Sequence, residues 1–242
     1  AMGARVVPTQ PAPLPSFLGG GSGGPLQCRG VSKRFGGIAA VSGVDIDIDP
    51  RGVHALIGPN GAGKTSLFNL LSGMFAPDAG TVAYAGTPLA LGNPARICAA
   101  GIARSFQITN LFKGLTVHEN LRLSVMARDP GRFSPWRRIE TLADVQAQTE
   151  ELARYLGVGG MEHALAEDLS YGGQRLVDLG LALGSAPRLL LLDEPLAGLA
   201  AAERDRIGRL VRDIGDHLGV LLVEHDVDRV FAISDRVTVM NQ

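Results

Sequence analysis

The residues Gly58-Pro59-Asn60-Gly61-Ala62-Gly63-Lys64-Thr65 bring glycines, a lysine and a hydroxyl together in one short run. Glycine lets the backbone wrap closely enough for its N–H groups to converge on phosphate oxygens, and a helix that begins where the loop ends aims its positive end at the same point. Lys64 would reach the β- and γ-phosphates of a nucleotide, and the Thr65 hydroxyl, with Ser66 beside it, would meet Mg2+. The flanks suit such a loop. His54-Ala55-Leu56-Ile57 ends as a buried strand would, and Ser66 to Leu71 continues as a helix. A Gly-rich turn without a ligand is the alternative for the loop taken alone.

Two further runs end in groups capable of acid–base work. Leu189-Leu190-Leu191-Leu192 leads into Asp193-Glu194-Pro195, and Val220-Leu221-Leu222-Val223 leads into Glu224-His225-Asp226. A continuous apolar run closing on carboxylates is the pattern of a parallel strand buried on both faces, and ligands sit at the carboxyl ends of such strands. A surface acid pair at a helix start and a satisfied core histidine are the competing readings.

The chain that must position these groups has 242 residues and is 45% hydrophobic, enough for a full core in one domain, with room for a subdomain. Its net charge of -1 offers no bulk attraction to nucleic acid or to an acidic membrane surface, and no nucleic-acid partner is expected. Cys28 and Cys98 match no metal spacing and read as two buried thiols in a reducing compartment. No apolar run is long enough to span a bilayer, so a membrane role requires a partner. Ala1-Met2-Gly3 lacks the pattern of a signal peptide. Residues 1–25 carry Pro8, Pro11, Pro13 and Pro15 and then Gly19-Gly20-Gly21-Ser22-Gly23-Gly24, a stiff and then flexible linker or tail.

Globular text starts at Leu26. Leu26 to Val31 and Val41 to Ile48 read as strands, the second alternating Val44, Ile46 and Ile48 with Asp45, Asp47 and Asp49, which suits an antiparallel sheet with one wet face. Phe35 falls on the Gly36-Gly37 turn between them; an aromatic there could stack on a base, although such a residue is more often core. Thr81 to Gly86 reads as a short strand after the Ala76 to Gly80 turn. Leu115 to Leu121 opens a helix with Thr116 as cap and Glu119 three residues on. Helices continue to about Gly184, interrupted by a loop around Trp136, and Arg236 to Met240 is a last strand.

A phosphate loop names a nucleotide but no reaction, and the later motifs narrow it. In order and spacing, the loop, Gln107, Leu169-Ser170-Tyr171-Gly172-Gly173-Gln174, Asp193-Glu194 and His225 resemble the nucleotide-binding subunit of an ABC transporter, from about Leu26 to the last residues. The resemblance implies an α/β fold, a P-loop NTPase with a mainly parallel core sheet, an N-terminal antiparallel β subdomain and a helical subdomain inserted at about residues 108–184. It implies ATP and Mg2+, with Asp193 and Thr65 on the metal, Glu194 as general base, His225 at the γ-phosphate, Gln107 as a lid residue touching metal or water, and Phe35 under the adenine. Ser170 and Gly172, at a helix start, would complete the ATP site of a second subunit in a head-to-tail dimer. A membrane permease is the other implied partner, fused upstream of residue 1 in one reading of the Pro- and Gly-rich lead-in. The subunit would then lie on the cytoplasmic face of the inner membrane, peripheral through that permease.

Departures from the family's pattern are visible too. Tyr171 stands at the usual first glycine of the signature, Gly173 at its usual glutamine, and Ala200 where an Asp or Asn usually bridges the subunits. Family members commonly continue beyond Gln242. Arg104 to Phe112, Leu115 to Leu121, the Leu-Ser-Tyr-Gly signature and Val223-Glu224-His225-Asp226 look most like the ATPase of branched-chain amino-acid uptake systems. Urea-type and lipopolysaccharide-export ATPases are similar. Soluble mechanical ATPases and P-loop kinases or switches are the rival classes: the first usually carry two cassettes or a coiled coil, and the second would not need the Ser170-Gly172 element.

Overall fold

The computed structural model describes residues 12–18, 23–105, 111–128 and 143–241. Two sheets share one core. Strands β1 (Leu26–Phe35), β2 (Ile38–Ile48), β4 (Ala79–Tyr84) and β5 (Thr87–Pro88) form an antiparallel sheet in the order β2-β1-β4-β5. Strands β3 (Gly52–Ile57), β6 (Ile102–Ser105), β7 (Leu189–Asp193), β8 (Gly219–Val223) and β9 (Arg236–Val239) form a parallel sheet in the order β6-β7-β8-β3-β9. Helices α1 (Lys64–Leu71), α2 (Pro94–Ala99), α3 (Val117–Met126), α4 (Ala143–Tyr155), α5 (Tyr171–Gly184), α6 (Ala201–Gly215) and α7 (Val227–Ile233) connect and cover them.

The period of two in a strand explains why β7 had to be apolar from Leu189 to Leu192. Leu189 and Leu191 face a cluster built with the antiparallel sheet and with Leu67, Phe68, Leu70 and Leu71 of α1. Leu190 and Leu192 face the opposite cluster, built with α3, α4, α5 and α6. The same division separates Leu221 and Val223 from Val220 and Leu222 on β8. In β2 the alternation of Ile46 and Ile48 with Asp45 and Asp47 does mark one wet face.

Helix α3 starts on the capping box read from sequence: the Thr116 hydroxyl accepts the Glu119 N–H, and the Glu119 carboxylate accepts the Thr116 N–H at 2.8 Å. Asn120, fully buried, secures the approach to that helix by accepting the Phe112 N–H and donating to the carbonyls of Phe112, Leu115 and Thr116. Within the lead-in, Leu18 is buried, and the Ser16 N–H and hydroxyl donate to Glu151 of α4 at 3.0 and 2.9 Å. Trp136 and its loop lie outside the described residues.

The pair of buried thiols is corrected by half. Cys28 is buried, but Cys98 is exposed, because α2 turns Ile97 into the core and the next residue, about 100° further round, outward. Burial pushes the Cys28 thiol up to about 12, with Arg29 pulling against it. Thiolate is the reactive form, so native protein at pH 8 is expected to take up one equivalent of iodoacetamide, at Cys98, and a second only after denaturation. Intact mass before and after denaturant checks this.

Candidate functional site

Because every pairing in the core sheet is parallel, the carboxyl ends of β3, β6, β7 and β8 lie along one edge. The phosphate loop leaves β3 there, and α1 begins at Lys64. Gly58, Gly61 and Gly63 all take positive φ, 152°, 84° and 89°. Two of them are also closed in by backbone: a Cβ on Gly58 would fall on the Met240 carbonyl oxygen, and one on Gly63 on the Ala40 carbonyl oxygen of β2. Only glycine meets both demands at once. Lys64 is 5% exposed and its ammonium donates to the carbonyls of Gly58 and Pro59 at 2.7 and 2.9 Å. Pro59, Asn60, Gly61 and Thr65 face solvent, Ser66 is half-buried and Ala62 is packed beneath the loop. No side chain caps the first-turn amides of α1.

Asp193, 2% exposed, ends β7 on the face shared with Leu191. Arg104 on β6 donates to its Oδ2 at 2.8 Å and also holds Asn69 and Ser72, over the Phe68 ring. Burial pushes the Asp193 carboxyl above its usual range, with Arg104 opposing. Glu194 follows in a left-handed conformation, φ 47°, which costs a non-glycine residue roughly 1–3 kcal/mol and persists only where neighbours impose it. Its Oε1 lies 2.9 Å from Nε2 of His225, at the exit of the adjacent strand β8. A carboxylate and an imidazole held together beside a phosphate loop can orient and deprotonate water.

Ser170 caps α5, its hydroxyl accepting the Gly173 N–H at 3.2 Å, and leaves the start of that helix with glycine amides at Gly172 and Gly173. The Glu203 carboxylate of α6 lies against Gly172, where a Cβ would strike it, and accepts the Ala200 N–H at 3.3 Å. Tyr171 spends its ring on Gly198, 3.2 Å from where a Cβ would be. Phe35 is 43% exposed at the end of β1 and meets Phe75 edge-on, with centroids 5.2 Å apart. The Lys33 ammonium lies over the same ring, 5.8 Å from its centroid; an exposed aromatic can stack on a base, which a core phenylalanine would not offer. Gln107 lies outside the described residues.

The ABC transporter family profile matches residues 41–197. Over 226 residues the chain is 37% identical to the high-affinity branched-chain amino acid transport ATP-binding protein LivG of Escherichia coli K12, covering 90% of this chain and 88% of that one. This chain belongs to the ABC transporter family. Its fold overlays the ADP conformation of MJ1267, an ATP-binding cassette of an ABC transporter, with a TM-score of 0.79 and 29% identity over 89% of this chain and 86% of the other. A ribose import ATP-binding protein, RbsA 2 of Rubrobacter xylanophilus, is 38% identical over 92% of this chain and 42% of its own length. The chain is thus an ATP-hydrolysing subunit of an ABC transporter, and the P-loop α/β architecture expected from its sequence is the one observed.

The residues of this ABC ATPase fit magnesium nucleotide. Among the described residues no three His, Cys, Asp or Glu side chains converge as a self-sufficient metal site. Mg2+ does not need one, since it keeps several waters and takes one or two protein ligands together with phosphate oxygens. Asp193 at the strand end and Thr65 in the first turn of α1 carry oxygens that would serve in this way. Sequence reading did not single out Arg104, Glu203 or Glu224. Arg104 reaches Asp193 across 89 positions and Glu224 reaches Leu196 across 28, distances over which periodicity carries no signal. Glu224 left one mark, as a carboxylate directly after a fully apolar strand.

Proposed function

We propose that this ABC ATPase powers uptake of branched-chain or other hydrophobic amino acids. Its mechanism rests on one observation, the convergence of the phosphate loop, Asp193, Glu194 and His225 at the ends of neighbouring parallel strands. In this reading the amides of Gly61, Ala62, Gly63, Lys64, Thr65 and Ser66, the Lys64 ammonium and the turn through Gly58, Pro59 and Asn60 hold the phosphates, and Phe35 takes the adenine. Thr65 and Asp193 would hold Mg2+, with Gln107 touching the metal or the water, and the ion would neutralise phosphate charge. Glu194 accepts a proton from water as the water oxygen bonds to the γ-phosphorus and the bond from that phosphorus to the β–γ bridging oxygen breaks, giving ADP and phosphate. His225 steadies Glu194 and the γ-phosphate.

Ser170 and Gly172 serve the ATP held by a second subunit, so two copies enclose two nucleotides head to tail, and a permease anchors the pair at the cytoplasmic face of the inner membrane. Among the described residues no helix is long and apolar enough to cross a membrane. The solute assignment draws support from the Leu-Ser-Tyr-Gly and Val-Glu-His-Asp sequences and from the likeness to LivG. The second reading is sugar uptake, favoured by the likeness to the ribose import protein. Proteoliposomes holding the subunit with its permease separate the two. Leucine, isoleucine or valine is expected to stimulate ATP turnover and ribose is not; stimulation by ribose alone would overturn the amino-acid assignment.

A further inference from the structure

We propose that Glu224 is a positioning residue for hydrolysis: one buried carboxylate ties the exit of β8 to the segment after Glu194 and thereby fixes the Glu194–His225 pair. The proposal rests on Glu194 being the general base.

Backbone accounting leads to it. The β7–β8 ladder ends with Asp193 opposite Val223. One residue on, the Glu194 N–H donates to the Val223 carbonyl at 2.9 Å. Pro195 has no N–H to place. The next donor, the N–H of Leu196, lies in a residue 4% exposed, where water cannot satisfy it, and it donates to Glu224 Oε1 at 2.8 Å. Glu224 Oε2 accepts the His225 N–H at 3.3 Å. A side chain thus continues the pairing of the two strands past the point where the backbone ladder stops. Its two bonds end close in sequence to the pair: Leu196 follows Glu194, which is in its left-handed conformation, by two residues, and His225 carries the imidazole.

Glu224 is itself only 4% exposed and touches neither the phosphate loop nor the exposed face of His225 through any of these bonds. Burial and the nearby Glu194 charge push its carboxyl upward, against the two amides that pull it down. A group kept in so costly a place, when an apolar side chain would fill it, has to be held there by what it bonds.

The test uses the full chain with Glu224→Gln and Glu224→Asp. Glutamine has one acceptor oxygen and presents its NH2 to one of the two amides; aspartate keeps the charge but is a methylene short of reaching both. Both are expected to lower kcat by roughly 10- to 100-fold, with ATP affinity and KM within about twofold of the parent, because a small misplacement of reacting groups costs that much while binding is untouched. On a Glu194→Gln background, Glu224→Gln is expected to add no further loss, since it acts through the residue already removed. Unchanged kcat in both single variants, a parallel loss of kcat and ATP affinity, or a fully additive loss on the Glu194→Gln background would each overturn the proposal. Full turnover by Glu194→Gln alone would overturn the base assignment and this proposal with it, a result distinct from any given by the Glu224 variants.

Discussion

Glutamine in place of Glu194 is expected to slow ATP turnover by roughly 10²- to 10⁴-fold and to leave ATP affinity near its starting value. The exchange removes the proposed proton acceptor but keeps an oxygen where His225 Nε2 finds Oε1 at 2.9 Å, so the local geometry can survive. Nothing that would hold phosphate is altered: the Lys64 ammonium, the glycines of the loop and the start of α1 all lie on β3 and its exit, not on β7. Loss confined to kcat is the signature of a group that acts in the transition state. Steady-state turnover together with equilibrium binding of a fluorescent ATP analogue checks both halves, and unchanged turnover would remove Glu194 from the role of base.

Alanine in place of Gly63 is expected to weaken ATP binding by at least about a hundredfold. The φ of 89° alone costs an alanine roughly 1–2 kcal/mol. Its methyl would also fall on the Ala40 carbonyl oxygen, a backbone atom of β2 that cannot swing aside, so the loop itself must move. Strain and clash together come to about 3 kcal/mol or more, which is the hundredfold. Gly43 supplies the control: its φ is 58°, but an added Cβ meets nothing within 4 Å. Gly43→Ala is therefore expected to lose about 1 kcal/mol of stability and no nucleotide affinity. Equal effects of the two substitutions on ATP binding would mean that the close approach of β2 to the loop is unimportant.

The parts of the site carried by local pattern were legible in the sequence. The loop at Gly58 to Thr65, the apolar strands that close on Asp193 and on Glu224-His225, and the Thr116 to Glu119 cap each lie within a few consecutive residues, where strand or helix chemistry is written directly. The strand Leu26–Phe35 ran further than its apolar residues suggested, because beyond Val31 the β1–β2 pairing continues through backbone bonds and register shifts with few side chains buried. Helix α2 was missed although Asn93 caps it and Pro94 opens it, a start signal that six residues with one buried side chain do little to reinforce. The long-range polar contacts were invisible for a different reason. Arg104 on Asp193, Glu203 against Gly172 and Glu224 on Leu196 depend on which strands become neighbours, and the sheet order β6-β7-β8-β3-β9 cannot be read from any one segment.

The measurement that bears most directly on the whole account is the solution mass of the Glu194→Gln protein with and without Mg-ATP. It engages the phosphate loop, the proposed base and the proposed Ser170-Gly172 half-site in one experiment. The account predicts a monomer without nucleotide and a dimer of twice that mass with Mg-ATP, reverting when the nucleotide is removed. Tight ATP binding by a protein that stays monomeric at every concentration would contradict it, and would leave the start of α5 as an ordinary capped helix with no part in the ATP site.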